Sequence, residues 1–257
     1  GLKQKTSNLP GTTIDIRKSK ISAKDGTTIN LYDLPGIYSI NPASKDEQIA
    51  CEPLLDPEHP ESPDHIIAIV DATNIKRNML LFTQLCDLGF PVSLVLNMSD
   101  IAKKRGISPD IERLVLELGV KVIETSARTG LNIDELRSLI FQDGFKSHFK
   151  CYQPPALKSF FPDNIDLSKY NDYQALQVVY KNAEIVGARE HIKIFEEQRA
   201  MEVMVRYKAI DGLVKRCINY RQKKVEISRK LDKAVTHPVW GYLIFLAIIF
   251  IVFQSVF

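Results

Sequence analysis

The chain has 257 residues, a formal net charge of +3 and a hydrophobic fraction of 45%. That length supports one or two domains with a sizeable core, and so small a net charge gives no case for nucleic acid as a partner. Four cysteines (Cys51, Cys86, Cys151, Cys217) stand apart with no Cys-x-x-Cys pair. They argue against a zinc site or a disulfide framework and suit a reducing compartment.

Residues 14–140 alternate short apolar runs with helical patterns, which predicts an α/β fold with a mostly parallel sheet and flanking helices. Residues 29–33 read as a strand ending at Asp33. Residues 65–71 form a continuous apolar run, as in a strand buried on both faces. A helix over 78–88 closes at Gly89 and Pro91. Residues 92–97 are a second buried strand. A helix is expected over 107–118, a strand over 120–124 and a helix over 132–141 capped by Asn132 or Asp134.

Residues 143–169 form a Pro- and aromatic-containing connection. Between 170 and 231 charged and apolar residues intermix at helical spacing, which predicts a small all-α domain of three or four helices. Arg216, Arg221, Lys223, Lys224, Arg229, Lys230 and Lys233 crowd its end. Residues 238–253 then carry no charge. With 254–257 added, the tail approaches the ~20 residues of a membrane-spanning helix. Trp240 and Tyr242 stand where an interfacial aromatic belt would lie, and the preceding basic cluster places residues 1–236 on the cytoplasmic side. A buried core helix is the alternative, although a soluble helix normally shows a polar face. The expected organisation is 1–145, 146–169 as a linker, 170–234 helical, and 237–257 in the membrane.

Three segments carry chemistry. In Asp33-Leu34-Pro35-Gly36 the Asp can hold Mg²⁺ through water and the Gly N–H can meet a terminal phosphate. In Asn97-Met98-Ser99-Asp100 the last carboxylate can accept two hydrogen bonds from the N1 and N2 edge of guanine. Adenine has no such donor pair, so a carboxylate there rejects it. Ser126-Ala127-Arg128 would support the base. Asp33, Asn97 and Ser126 all end predicted strands, and open parallel sheets bind ligands beyond their carboxyl ends. The three loops are therefore expected to converge on one face. No Gly-x-x-x-x-Gly-Lys-[Ser/Thr] phosphate loop occurs in the chain.

Other residues have plainer readings. Asp71, at a strand end, is a turn former or is metal-linked. His59 and His65 flank a Pro- and Glu-rich loop and suit a solvated segment better than an iron site. Cys51 and Cys86 read as core.

Taken together, these segments resemble the cytoplasmic N-terminal part of the FeoB-type ferrous iron transporters. Asn8-Leu9-Pro10-Gly11-Thr12-Thr13 is similar to the family's switch I, with Leu9 where Trp is common. Asp33-Leu34-Pro35-Gly36-Ile37-Tyr38-Ser39-Ile40, followed by Ser44-Lys45-Asp46-Glu47, resembles its switch II. Val70-Asp71-Ala72-Thr73-Asn74 with Arg77-Asn78, Asn97-Met98-Ser99-Asp100 and Arg206-Tyr207 continue the match. Residues 231–257, with Thr236-His237-Pro238, are similar to its first membrane segment.

The resemblance implies a Ras-like, P-loop-GTPase-like domain lacking its N-terminal strand and phosphate loop. It implies GTP or GDP as ligand, among Gly11, Thr12, Thr13 and the three loops. Thr13 would ligate Mg²⁺ directly and Asp33 through water; relatives also use K⁺. Asn97 would brace the site, Asp100 would read guanine, the Ala127 N–H would meet the guanine carbonyl oxygen, and Ser126 would support the loop. The intact protein would be a GTPase of the bacterial inner membrane whose nucleotide state regulates Fe²⁺ uptake, with a homo-oligomer formed through its membrane part. The chain reads as a fragment with impaired GTP binding on its own. The alternative is a non-catalytic, membrane-tethered scaffold that retains relics of the guanine-reading loops.

Overall fold

The computed structural model describes residues 16–23, 25–42, 44–56, 58–155, 169–186, 189–220, 235–238 and 240–256. Its centre is a parallel sheet of β3 (Ile66–Asp71), β4 (Pro91–Asn97) and β6 (Val122–Glu124), with β7 (Phe145–Lys146) antiparallel on β4. Val92 through Leu96 are all buried because β4 is covered on both faces. Successive residues point to opposite faces. Leu94 and Leu96 accordingly join the core under α2 (Ile75–Asp87), whereas Val95 and Ile123 pack with Leu139 of α5 (Ile133–Ile140). The sheet ends at Asp71 opposite Asn97, so both loops leave from one rim.

Strand β2 (Thr28–Asp33) departs from the expected parallel arrangement. It pairs antiparallel with β1 (Arg17–Ser22), Arg17 facing Asp33, in a two-stranded sheet of its own. β1 is polar and mostly exposed, so the hairpin lacks the two apolar faces that a buried parallel strand requires. Two further differences concern helices. α1 (Lys45–Leu55), not anticipated as a helix, starts at Ser44, whose hydroxyl accepts the Glu47 N–H at 3.2 Å. The helix expected over 107–118 begins later. Ile107–Pro109 is strand β5, and α4 (Ile111–Leu118) starts only after Asp110 accepts the Arg113 N–H at 3.0 Å. β5 pairs antiparallel with β8 (Ile218–Tyr220), at the end of a 29-residue helix, α7 (Arg189–Cys217). Arg216 adds a two-pronged bond to Glu117, both contacts at 2.8 Å. The short helix α3 (Ser99–Lys104) lies between β4 and β5.

α6 (Asp172–Val186) and α7 share the main core with α2: Leu176, Val179, Ile210, Leu213 and Val214 pack with Met79, Phe82 and Leu85. A polar cluster lies within this contact. Arg206 is fully buried and donates from Nε to Glu202 and from Nη1 to Asp87, both at 2.7 Å. The guanidinium lies over the rings of Tyr173 and Tyr152, 4.7 and 5.4 Å from their centroids. Gln84 donates to Glu202 at 3.3 Å and accepts the Ile40 N–H at 3.1 Å. Tyr173 also donates to Glu202.

The uncharged tail forms α8 (Trp240–Val256), 17 residues whose large apolar side chains from Tyr242 to Phe253 are exposed except for half-buried Ile244. At 1.5 Å per residue it is roughly 26 Å long. Among the described residues no helix is long and apolar enough to cross a membrane.

Candidate functional site

Two of the three chemistry-bearing loops meet at the carboxyl rim of the sheet. β4 delivers Asn97, and Met98 turns the chain in the left-handed region (φ 63°) so that Asp100 falls in the first turn of α3. β6 delivers Thr125 and Ser126. The two loops are tied by main-chain bonds from the Thr125 N–H to the Leu96 carbonyl at 2.8 Å and from the Ser99 N–H to the Thr125 carbonyl at 3.1 Å.

Side chains complete the joint. Asn97 Oδ1 accepts the Ala127 N–H at 3.1 Å and the Thr125 hydroxyl at 3.5 Å. Asp100 Oδ1 accepts the hydroxyl of fully buried Ser126 at 2.7 Å. Asp100 Oδ2 accepts Arg128 Nε at 3.0 Å, and Arg128 Nη2 as well. These bonds, first from Arg128 and then from Ser126, hold the Asp100 carboxyl below the usual carboxylate range. The result is an ionised acceptor at a strand-end rim, braced from two sides. Such a group suits a ligand edge with two N–H donors.

The third loop stands on other supports. Asp33 is exposed at the end of β2, and its carboxylate has no side-chain partner among the described residues. Leu34 is half-buried against the core, Pro35 is buried and Gly36 is exposed. A Cβ on Gly36 would touch nothing within 4 Å, so packing does not demand glycine there. The segment is anchored downstream by the Ile40–Gln84 bond and by Arg77 lying 4.1 Å from the Tyr38 ring centre. No hydrogen bond joins Asp33 or Gly36 to the other two loops among the described residues. Gly11, Thr12 and Thr13 lie outside the described residues.

The plainer readings are also placed. Asp71 accepts the Thr73 N–H at 2.7 Å, the geometry of a turn former. His59 accepts the Glu61 N–H at 3.1 Å, and His65 bonds the Ser93 hydroxyl at 2.9 Å. Cys51 and Cys86 are buried, which pushes both thiols up to about 12. Sequence reading overlooked Thr125, which braces Asn97, and the buried Gln84, Asp87 and Glu202. The signal of Gln84, Asp87 and Glu202 was polarity at helical spacing on otherwise apolar faces.

The profile of the family described as "Ferrous iron transport protein B" matches residues 1–140. The chain belongs to that family. Among its relatives is the Fe(2+) transporter FeoB of Staphylococcus aureus (strain COL), 31% identical over an alignment covering 97% of this chain and 40% of the relative. The Fe(2+) transporter FeoB of Legionella pneumophila (strain Paris) is also 31% identical, with 97% and 35% covered. The chain thus spans about 40% of the length of the first of these relatives. Among solved structures, the cytosolic domain of L. pneumophila FeoB is 31% identical with a TM-score of 0.61, covering 84% of this chain and 90% of that one. The cytosolic domain of the T. maritima FeoB iron transporter in GMPPNP form is 25% identical with a TM-score of 0.63, covering 83% and 88%. A GDP form of the same domain scores 0.64 at 25% identity, covering 83% and 89%. The Ras-like G-domain architecture, a sheet with flanking helices, is that of these FeoB cytosolic domains.

Proposed function

We propose that this chain is the guanine-nucleotide-reading portion of a bacterial ferrous iron transporter, and that the intact protein hydrolyses GTP to regulate Fe²⁺ uptake. The observation that carries this reading is the joint of Asn97, Asp100, Ser126 and Ala127, which holds an ionised carboxylate at a braced strand-end rim. In the relatives of known structure the same domain was solved in GMPPNP and GDP forms. Asp100 reads the N1 and N2 donors of guanine, and the Ala127 N–H reads its carbonyl oxygen. Asp33 and Gly36 face the phosphate end. Asp33 is exposed and without a side-chain partner among the described residues, which fits a carboxylate holding Mg²⁺ through water. Thr13 supplies a hydroxyl ligand, and K⁺ is a further candidate cofactor. A hard cation of this kind takes oxygen ligands and keeps several waters.

The region 170–234 is read as a helical domain that passes the nucleotide state to a membrane segment over 237–257. Residues 1–236 then lie on the cytoplasmic side of the inner membrane, and the membrane part assembles as a homo-oligomer. The chain itself contains no phosphate-loop motif, which favours weak nucleotide binding by these 257 residues and keeps a non-catalytic scaffold as the second reading.

The test is an NMR titration of the chain in detergent micelles with GDP, XDP and ADP at millimolar concentration. GDP is expected to shift the amides of 97–100 and 126–128, and ADP to leave them in place. Asp100→Asn should exchange the preference to XDP, because an amide donates where xanthine accepts. Equal responses to GDP and ADP, or a preference untouched by Asp100→Asn, would remove the base-reading role.

A further inference from the structure

The carboxylate assigned above to the base is already engaged. Arg128 places two N–H groups on Asp100 Oδ2, Nε at 3.0 Å and Nη2 beside it. The Ser126 hydroxyl takes Oδ1 at 2.7 Å. The Ala127 N–H, the donor assigned to the guanine carbonyl, is turned instead onto Asn97 Oδ1 at 3.1 Å. The loop that would grip a base thus satisfies both recognition groups itself.

The chemistry of this contact is specific. A guanidinium presents neighbouring N–H donors on an N–C–N fork. The N1–C2–N2 edge of guanine is the same fork, with the same donors at the same spacing. A carboxylate shaped to receive one receives the other. The two partners also differ in freedom: the Asp100 side chain is 14% exposed and that of Arg128 is 63% exposed. The carboxylate is fixed by its surroundings, whereas the arginine can swing into solvent.

Resting on the guanine reading, we propose that Arg128 is an internal stand-in for guanine: it holds Asp100 while the site is empty, and the base enters by exchange with its guanidinium. The exchange has three consequences. The ionised carboxylate is never left without donors, so the empty loop keeps the geometry that the ligand needs. Guanine binding is weakened by the strength of the Arg128–Asp100 contact. The Ala127 N–H leaves Asn97 in the same step, because residues 126–128 form one short turn. Displacement costs the same for every base that uses Asp100. Arg128 therefore sets affinity and association rate without setting the ratio between guanine and hypoxanthine.

The test compares Arg128→Ala and Arg128→Lys with the parent chain in titrations with GDP and IDP, followed by NMR at residues 97–100. Arg128→Lys keeps the positive charge that attracts phosphates but loses the fork, which separates competition from general attraction. An exposed ion pair corresponds to at most about a fivefold effect. Arg128→Ala is expected to bind GDP about two- to fivefold more tightly, Arg128→Lys to fall between it and the parent, and the GDP:IDP ratio to hold. GDP affinity that is unchanged or lowered in Arg128→Ala overturns the stand-in role while leaving base reading intact. Absence of GDP-induced shifts in parent and variants alike overturns both.

Discussion

Gln84 of α2 and Glu202 of α7 meet side chain to side chain at 3.3 Å, each fully buried. The other end of Gln84 accepts the backbone N–H of Ile40, the first buried apolar residue after the Asp33–Gly36 loop. One carboxamide therefore ties the segment that follows the Asp33–Gly36 loop to the long helix. Replacing it by Gln84→Leu keeps the bulk and strands the buried Ile40 N–H, while the Glu202 oxygen keeps its donors Arg206 and Tyr173. An unmade buried hydrogen bond costs about 1–3 kcal/mol. Unfolding in urea should show a loss in that range, and amide exchange at Ile40 should rise more than elsewhere in the core. Unchanged protection at Ile40 would show that this tether does not hold the segment.

Fully buried Arg206 pairs with two buried carboxylates, Glu202 and Asp87, the second of which also has Lys150 at 3.8 Å. Burial raises the Asp87 carboxyl above its ordinary range while Arg206 pulls it back. Truncating one member of such a pair typically costs 3–5 kcal/mol, because the remaining charge stays buried and uncompensated. Arg206→Met is expected to destabilise by about that amount, and Arg206→Met combined with Glu202→Leu by less than Arg206→Met alone. A double variant no more stable than Arg206→Met would show that the cost is lost packing against Tyr152 and Tyr173 rather than stranded charge. This cluster is a candidate for specifying how α7 seats on α2.

Acid should loosen the same contact from its exposed side. Asp211 of α7 lies between Lys76 of α2 and Lys215, and hydrogen bonds from the two lysines bring its carboxyl down to about 2. Its folded value is thus below the ordinary one near 4. A depressed carboxyl contributes stability above the unfolded value, and that contribution fades as pH falls from about 4 towards about 2. Glu117, lowered by Arg216, acts in the same direction; Asp87, raised by burial, acts in the opposite one. Melting temperature measured between pH 7 and pH 2 should fall less steeply for Asp211→Asn than for the parent. Parallel curves would show that the Asp211 pair adds nothing to folding.

The legible parts of this fold are those whose cause is local. The apolar runs over 65–71 and 92–97 announce strands, although only β4 is buried on both faces and Ile69 of β3 is 64% exposed, and Gly89 and Pro91 mark the end of α2. The joint of Asn97, Asp100 and Ser126 was legible because strand ends in a parallel sheet share a rim. What escaped depends on distant partners. Residues 107–109 are a strand only because Ile218–Tyr220 lies beside them, although Pro109 and the cap at Asp110 marked where the helix had to begin. β1 was hidden by its polarity, Arg17-Lys18-Ser19-Lys20 having no apolar face to reveal a period. Ser44 and Glu47 carried a capping signal for α1, but Pro53 inside the helix obscured its extent. The contact of Arg128 with Asp100 left no trace in spacing, since it depends on the turn between Ser126 and Leu131.

The edge of β3 away from β4 makes the last prediction. β3 pairs with β4 on one side, and on the other it has no strand partner among the described residues. On the sheet face covered by α5, Ile67 is half-buried while Ile69 is 64% exposed. An apolar strand with an open edge is a template for pairing with another chain. The chain is therefore expected to self-associate with rising concentration, through β3. Ile69→Lys places a charge beside that edge where no buried contact is lost, so it should reduce association and leave the unfolding midpoint within about 0.5 kcal/mol of the parent. Sedimentation of both proteins in the same detergent separates this route from association through α8. If Ile69→Lys associates as strongly as the parent, the β3 edge is not the contact. If it unfolds markedly earlier, Ile69 is covered in solution and the strand is not open.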